Sequence, residues 1–156
     1  LSQERMMGSE PVADIEVRYA PLTGIDIPAD LVSIAIDEFP ILFIAAACAK
    51  GVTRLTEAKE LRVKESDRLS AMSKGLTALG IAHRTQIDGM EITGGVFQGG
   101  TVDSFGDHRI AMAFAVAGIN ATSPVAILNC DAVSTSFPGF VEIMKQAGVK
   151  IEESKV

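Results

Sequence analysis

Residues 37–48 read DEFPILFIAAAC, and this stretch decides the fold class. An acidic residue shortly before a proline is typical of a first helical turn, so we expect a helix with Asp37 as its N-cap. The positions from 39 through Cys48 are all apolar, which predicts a helix buried on every side and ended by Gly51. A second helix of this kind is predicted at residues 107–117, DHRIAMAFAVA, where three polar residues precede an apolar run.

Short strands and amphipathic helices alternate around these two apolar helices. Leu69, Met72 and Leu76 lie three and four positions apart and continue to Leu79, a spacing that predicts one apolar helical face. The helix should begin at Ser66 or Asp67 and end at Gly80. We expect further elements at these positions: strands at 14–20, 24–27, 52–56, 83–87, 90–93, 124–128 and 149–151, a glycine-rich loop at 94–106, and a helix at 137–147.

The order of elements repeats after about 70 residues, near the period of known structural repeats. Each unit has an apolar helix, a strand, a loop, an amphipathic helix, a glycine and a strand, and the two units span about residues 28–93 and 101–152. Pairing one all-apolar helix with one amphipathic helix places helices inside and sheets outside. We expect an α/β (α+β) fold, with residues 1–11 as a flexible lead-in and residues 12–156 as part of one domain.

The composition excludes several function classes. Of 156 residues, 47% are hydrophobic and 22% charged, as in globular proteins. A net charge of −6 argues against a nucleic-acid partner, and the apolar run 39–49 is too short to span a membrane. Cys48 and Cys130 lie in apolar segments and suit a reducing compartment, and we see no signal peptide. We expect a cytoplasmic protein, and the start at Leu1 favours a piece of a longer protein over a trimmed terminus.

Residues 59–68, KELRVKESDR, form the densest charge cluster. One interpretation is a solvated helix start with mixed charges. The other is an anion site, because the cations lie at a helix N-terminus, where free N–H groups and the dipole attract anions. Lys64 and Arg68 are four positions apart, so one helical turn would project both from the same side.

Arg109 lies in the first turn of an apolar helix and needs an anionic partner there. That partner is either a structural acid such as Asp107 or a substrate. His108 is either a structural residue or a base. Asp37 begins the corresponding helix of the first unit, as a cap alone or also as a catalytic group, and both helix starts can face one cleft with residues 64–68. We find no metal-ligand spacing, phosphate-binding loop or nucleophile motif, so we expect chemistry by carboxylates, lysine and arginine on an anionic substrate, without a metal or cofactor.

The motif at residues 61–69, LRVKESDRL, resembles the 5-enolpyruvylshikimate-3-phosphate synthase family. Three further motifs agree in order and spacing: residues 36–40, 107–112 and 135–138. The resemblance covers about residues 12–152. It implies two domains, each an inside-out α/β barrel of three βαβαββ-type units, with the active site between them. This chain would be the C-terminal part of one domain, about a third of an enzyme, with a missing N-terminal portion as its partner.

The resemblance also implies an activity and a role for each site residue. The family transfers the enolpyruvyl group from phosphoenolpyruvate to the 5-hydroxyl of shikimate 3-phosphate, a step in aromatic amino-acid biosynthesis. Asp37 matches the aspartate that contacts the shikimate ring and accepts the hydroxyl proton. Lys64 matches the lysine between the two substrates, and Glu65 the glutamate that handles the methylene proton. Arg68 and Arg109 match phosphoenolpyruvate-binding arginines, with His108 as a further candidate ligand.

Two positions depart from the best-known form of the family. Glu60 replaces an asparagine that touches shikimate, and Thr135 replaces a lysine at the phosphoenolpyruvate phosphate, so neither is assigned to the site. Both departures resemble the second, glyphosate-tolerant class. We expect the chain alone to bind phosphoenolpyruvate weakly and to be inactive. The alternatives are a non-catalytic anion-binding or assembly fragment, or the half-chain of a split enolpyruvyl transferase.

Overall fold

A computed structural model describes residues 1–154 of the chain. The strands are β1 (Ser2–Met7), β2 (Glu10–Asp14), β3 (Val52–Leu55), β4 (His83–Thr85), β5 (Met90–Thr93), β6 (Gly100–Asp103) and β7 (Val125–Leu128). The helices are α1 (Ala29–Val32), α2 (Phe39–Cys48), α3 (Arg68–Ala78), α4 (His108–Ala117), α5 (Asp131–Ser136) and α6 (Phe140–Gln146), with 3₁₀ turns at Ile36–Glu38, Lys59–Val63 and Gly118–Asn120.

Residues 23–93 contain two isolated bridges followed by α1, α2, β3, α3, β4 and β5, close to the expected βαβαββ order, while the division of the chain into repeat units stays a prediction. Strand β5 pairs antiparallel with both β3 and β4. Thr23 and Asp26 form parallel bridges to Lys50 and Arg54, so the predicted strand at 24–27 lines the free edge of β3 as two bridges. Helices α2 and α3 connect successive strands of this sheet. The mixed helix and strand fold class is therefore confirmed, whereas closure into an inside-out barrel stays a prediction.

The second unit contains the parallel pair β6 and β7, with α4 as the crossover between them. Strand β6 lies inside the glycine-rich stretch that was predicted as a loop, and that prediction is wrong. Its pairing partner β7 is 25 residues away in register, Gly100 opposite Val125, so local composition could not reveal it. A Cβ on the neighbouring Gly99 would collide with Ser123, which shows that glycine here permits the close approach of two backbones.

The core lies between helices α2, α3 and α4 and the sheet β3–β5–β4. The stripe predicted for α3 is confirmed, since its four leucine and methionine side chains are fully buried. The all-round burial predicted for α2 is only partly right: Phe39 and Phe43 are buried, but Leu42 is 40% exposed and Cys48 is also exposed. Within residues 1–154, no element covers that side of α2. The helix also ends at Cys48, three residues before Gly51.

The first twenty residues differ from expectation. Residues predicted as a lead-in form the antiparallel hairpin β1–β2, and the strand predicted at 14–20 is wrong, because β2 ends at Asp14. Ile15, Val17 and Tyr19 alternate as a strand would, yet all three are highly exposed. Alternation predicts a strand only where a sheet face is available to bury it.

The last segment also differs. The helix predicted at 137–147 is present as the shorter α6, which begins only at Phe140, after Pro138 and a left-handed Gly139 with φ of 83°. The preceding helix α5 was not predicted. The strand predicted at 149–151 is absent from the part of the chain described, which ends two residues before the predicted domain boundary at 156.

No helix among residues 1–154 is long and apolar enough to cross a membrane. Both cysteines are free thiols, and partial loss of solvation raises the pKa of each.

Candidate active site

Asp37 lies in the 3₁₀ turn that precedes α2. It does not cap the helix as predicted, since Glu38 occupies the N-cap position and makes no side-chain capping bond. Instead, Asp37 Oδ1 accepts a hydrogen bond from Arg68 Nη1 at 2.8 Å and lies 3.4 Å from Lys64 Nζ. Two full charges bind a carboxylate more strongly than backbone N–H groups do, so this side chain belongs to an ionic site.

Lys64 and Arg68 converge on Asp37 by a different route from the predicted one. Lys64 follows the 3₁₀ turn Lys59–Val63 in an extended conformation, whereas Arg68 is the first residue of α3. They therefore do not share one helical turn. Asp67 caps α3 by accepting from Ser70 N at 3.0 Å, as the sequence predicts.

Arg68 is the centre of the site and is only 1% exposed. Its Nε donates to Asp107 Oδ2 at 2.9 Å, Nη1 to Asp37, and Nη2 to Glu65 Oε2 at 2.5 Å. Burial alone would lower its pKa, but the hydrogen bond and charge of Asp107 lead the opposing effects and raise it. Arg68 therefore stays ionised inside the protein.

Asp107, the first residue of the predicted helix 107–117, is the N-cap of α4 and is fully buried. Its Oδ1 accepts from Arg109 N at 3.0 Å, and its Oδ2 also accepts from Ser66 Oγ at 3.0 Å. Burial would raise the pKa of Asp107, but the hydrogen bond and charge of Arg68 outweigh burial and lower it. Asp107 was one of the acids predicted to pair with the side chain of Arg109. The acid that Arg109 meets is Glu38, and the partner of Asp107 is Arg68.

Arg109 connects the starts of the two apolar helices. Its Nη1 donates to the backbone oxygen of Asp37 at 2.9 Å and to Glu38 Oε1 at 2.8 Å. The starts of α2 and α4 are thus in contact, whereas a cleft that they share with residues 64–68 stays a prediction. The side chain is 32% exposed, so Arg109 lies nearer the solvent than Arg68.

Glu60 joins the site although the sequence did not assign it. Its Oε1 lies 2.6 Å from Lys64 Nζ. The hydrogen bond to Glu60 is the largest cause of the raised pKa of Lys64, and Asp37 raises that pKa further. The hydrogen bond from Arg68 is in turn the main reason why the pKa of Asp37 is lowered. The i, i+4 spacing of Glu60 and Lys64 was the signal that could have identified this pair.

These eight residues are called the ion-pair cluster below: Asp37, Glu38, Glu60, Glu65, Asp107, Lys64, Arg68 and Arg109. Its five carboxylates outnumber its three cations. Each cation already contacts a carboxylate, so an anion that binds these cations competes with the carboxylates of the cluster. The side chains of Asp37, Glu38, Glu60 and Glu65 are about half exposed, which places the mouth of the cluster on their side.

The candidate ligand His108 and the unassigned Thr135 both lie outside this network. His108 is half-buried at the start of α4, and Thr135 lies exposed in α5. Neither takes part in an ion pair of the cluster among residues 1–154. A surface cavity of about 270 Å³ near α5 and α6 is lined by Val133, Phe137 and Phe140 among others, and it shares no residue with the cluster. The described residues contain no group of three side chains suited to hold a metal ion.

Comparisons with known proteins agree on one family. The family model described as EPSP synthase (3-phosphoshikimate 1-carboxyvinyltransferase) matches residues 4–154. A protein of Methylococcus capsulatus named 3-phosphoshikimate 1-carboxyvinyltransferase is 59% identical over 150 residues, which are 96% of this chain and 34% of that protein. A protein of the same name from Acidithiobacillus ferrooxidans is 59% identical over 152 residues, 97% of this chain and 35% of its own length.

A solved structure of EPSP synthase from Acinetobacter baumannii superposes on this chain with a TM-score of 0.96 at 48% identity. The match covers 99% of this chain and 37% of that one. The chain thus spans about a third of the length of the curated relatives it matches.

Proposed function

The chain belongs to the EPSP synthase family, and from this premise we propose that it carries one side of an active site for enolpyruvyl transfer. In the proposed reaction the enolpyruvyl group of phosphoenolpyruvate moves to the 5-hydroxyl of shikimate 3-phosphate, and phosphate is released. The observation that carries the proposal is the convergence of Asp37, Lys64 and Arg68, with Glu65 and Arg109, in the ion-pair cluster.

The cations of the cluster suit the substrates. Both substrates carry several negative charges, and arginine binds carboxylate and phosphate through two parallel hydrogen bonds. We assign phosphoenolpyruvate to Arg68 and Arg109, and place Lys64 between the two substrates. The anion takes the positions that Asp37 and Glu65 hold on the Nη atoms of Arg68 in the free chain. His108, beside Arg109 in sequence, is a further candidate ligand.

The carboxylates of the cluster divide the proton transfers between them. The 5-hydroxyl oxygen attacks C2 of phosphoenolpyruvate and loses its proton to Asp37, while C3 gains a proton from Glu65. Loss of phosphate from the resulting adduct, with return of a C3 proton to Glu65, restores the double bond, and the proton held by Asp37 leaves with the phosphate. No cofactor enters this balance.

Substrate binding makes Asp37 a better base. The hydrogen bond from Arg68 is the main cause of the lowered pKa of Asp37 in the free chain. An anion that takes over Arg68 removes that hydrogen bond, so the pKa of Asp37 rises toward the value at which a carboxylate accepts a proton more effectively.

The remaining family assignments stay predictions. The chain acts with the remaining two-thirds of such an enzyme, which would supply the opposing wall of the site. Membership of the glyphosate-tolerant class is supported by Glu60 and Thr135 in the sequence. The cytoplasmic location is likewise a prediction.

The proposed function is tested by measuring phosphate release from shikimate 3-phosphate and phosphoenolpyruvate. The chain is assayed alone, and then mixed with the Methylococcus capsulatus relative from which the matching third has been deleted. We expect activity only in the mixture. Asp37→Asn should abolish it, whereas Asp26→Asn, which breaks a comparable surface pair with Arg54 at 3.1 Å, should retain it.

Two outcomes would contradict the proposal. Turnover by the chain alone would show that no opposing wall is required. A mixture that forms a complex yet releases no phosphate would favour a non-catalytic anion-binding or assembly fragment. Activity on mixing would also be the behaviour of a split enolpyruvyl transferase, which has the same chemistry.

A further inference from the structure

We propose that Asp107 is a positioning residue for two arginines. It orients the guanidinium of Arg68, and so determines which edge of that group an anionic substrate contacts. It also holds the backbone at Arg109 in place. The inference rests on the proposed function, in which both arginines bind phosphoenolpyruvate. Asp107 itself is fully buried and contacts no solvent, so it acts through the arginines.

The first argument comes from the atoms that Asp107 engages. A guanidinium offers two edges for paired hydrogen bonds, one formed by Nε with an Nη atom and one by the two Nη atoms. Asp107 occupies Nε at 2.9 Å. The Nη1–Nη2 edge therefore faces the mouth of the cluster, where only the exposed carboxylates of Asp37 and Glu65 cover it.

The second argument comes from burial. A buried ion pair loses about as much through dehydration as it gains by attraction, so stability alone is a weak reason to bury one. Asp107 and Arg68 are 0% and 1% exposed. Both oxygens of the Asp107 carboxylate also accept hydrogen bonds: Oδ2 from Arg68 and Ser66, and Oδ1 from the Arg109 N–H. Such a pair defines an orientation, because neither group can rotate without leaving a buried charge unpaired.

The third argument comes from connectivity. Arg68 begins α3 of the first repeat unit, and Arg109 lies in the first turn of α4 of the second. Asp107 binds the side chain of one and the backbone N–H of the other, through its two oxygens. One carboxylate thus sets the relative position of two arginines that come from different units.

The test uses the whole chain, with Asp107→Asn as the variant and Asp67→Asn as the control. Asparagine has nearly the same shape as aspartate and also caps helices, so Asp107→Asn removes mainly the charge. Asp67 is an N-cap acid of α3, and its contacts go to Ser70 and Arg62 instead of Arg68. The control therefore reports the effect of neutralising a helix cap near the site.

Two readouts are taken by NMR on chains labelled at arginine. Hydrogen exchange of the Arg68 Nε–H reports its orientation directly, with exposed Arg84 as the internal reference. Titration with phosphoenolpyruvate reports binding. We expect slow Nε–H exchange in the unmodified chain, exchange close to that of Arg84 in Asp107→Asn, and phosphoenolpyruvate affinity about tenfold lower in that variant. Asp67→Asn should leave both readouts unchanged.

The outcomes separate this proposal from the proposed function. A folded Asp107→Asn chain with slow Arg68 exchange and unchanged affinity would overturn the positioning role. If Asp107→Asn does not fold, the unmodified chain decides: fast Arg68 Nε–H exchange overturns the role, and slow exchange supports it. Slow exchange without any phosphoenolpyruvate binding would leave the orientation by Asp107 intact and would contradict the substrate assignment instead.

Discussion

Arg68 Nε lies 2.9 Å from Asp107 Oδ2 across 39 positions of sequence, and both side chains are shielded from solvent. The pair joins the first turn of α3 to the first turn of α4. Because each charge has lost its water, each depends on the other more than the surface pairs of this chain do. Four predictions follow from this pair, its neighbours and the helix contact beneath them.

Removing the cation should destabilise the chain strongly. Arg68→Met leaves Asp107 buried without its charged partner, and we expect a loss of about 3–5 kcal/mol in the free energy of unfolding. Urea unfolding at pH 7 measures it. Arg84→Met, at an exposed position, should change stability by no more than about 0.5 kcal/mol. Equal effects of the two substitutions would contradict the prediction.

Acid should weaken the chain through Asp107. The pKa of the Asp107 carboxyl is lowered in the folded state. The folded state therefore binds this proton less tightly than the unfolded chain does, in which aspartates titrate at about pH 3.9. The stabilising effect of Asp107 is complete above about pH 5 and is lost as the pH falls through the unfolded-state pKa toward the folded-state pKa. Urea midpoints measured from pH 7 downward should fall more steeply below about pH 5 in the unmodified chain than in Asp107→Asn. Parallel curves would show that Asp107 does not titrate as expected.

Neutralising Glu60 should lower the pKa of Lys64. The hydrogen bond of Glu60 to Lys64 Nζ is the largest cause of the raised lysine pKa. Glu60→Gln keeps the length of the side chain and removes its charge. NMR titration of the Lys64 side chain measures the shift, with Glu57→Gln as a control at a nearby exposed acid. An unchanged pKa in Glu60→Gln would show that Asp37 alone sets the charge of Lys64.

A methyl group at Gly75 should destabilise the chain even though alanine favours helices. A Cβ at this position of α3 would overlap the ring of Phe114 in α4. Overpacking costs about 1–3 kcal/mol, which outweighs a gain in helix propensity of up to about 1 kcal/mol. Gly118→Ala is the matched control, because its Cβ would meet Val125 Cβ at an ordinary 3.7 Å. Thermal unfolding should show a lower midpoint for Gly75→Ala only.

Local patterns predicted the parts of the fold that local physics determines. The stripe of α3, the cap Asp67 and the glycine end at Gly80 were all correct, because periodicity and capping act within a few residues. Strand β6 was missed because its partner lies 25 residues away. The hairpin β1–β2 was missed because all its residues are exposed or half-buried, so no alternation marks it.

The same distinction holds at the site. The residue types and the convergence of the helix starts could be predicted, since charged residues at the starts of apolar helices need partners. The pairings could not be predicted. Asp37 does not cap α2 but binds Arg68, 31 residues away. Asp107 likewise binds Arg68 instead of the neighbouring Arg109 side chain. Such choices depend on which charges the packing of α2, α3 and α4 brings together.

The parallel pair β6–β7 has a consequence for handling the protein. Within residues 1–154 it is a sheet of only two strands, so the outer edge of each strand presents N–H and C=O groups without a neighbouring strand. Open edges of this kind recruit strands from other molecules. Concentrated solutions of this chain should therefore self-associate through intermolecular strand pairing, and dilute samples will be needed wherever a monomer is required.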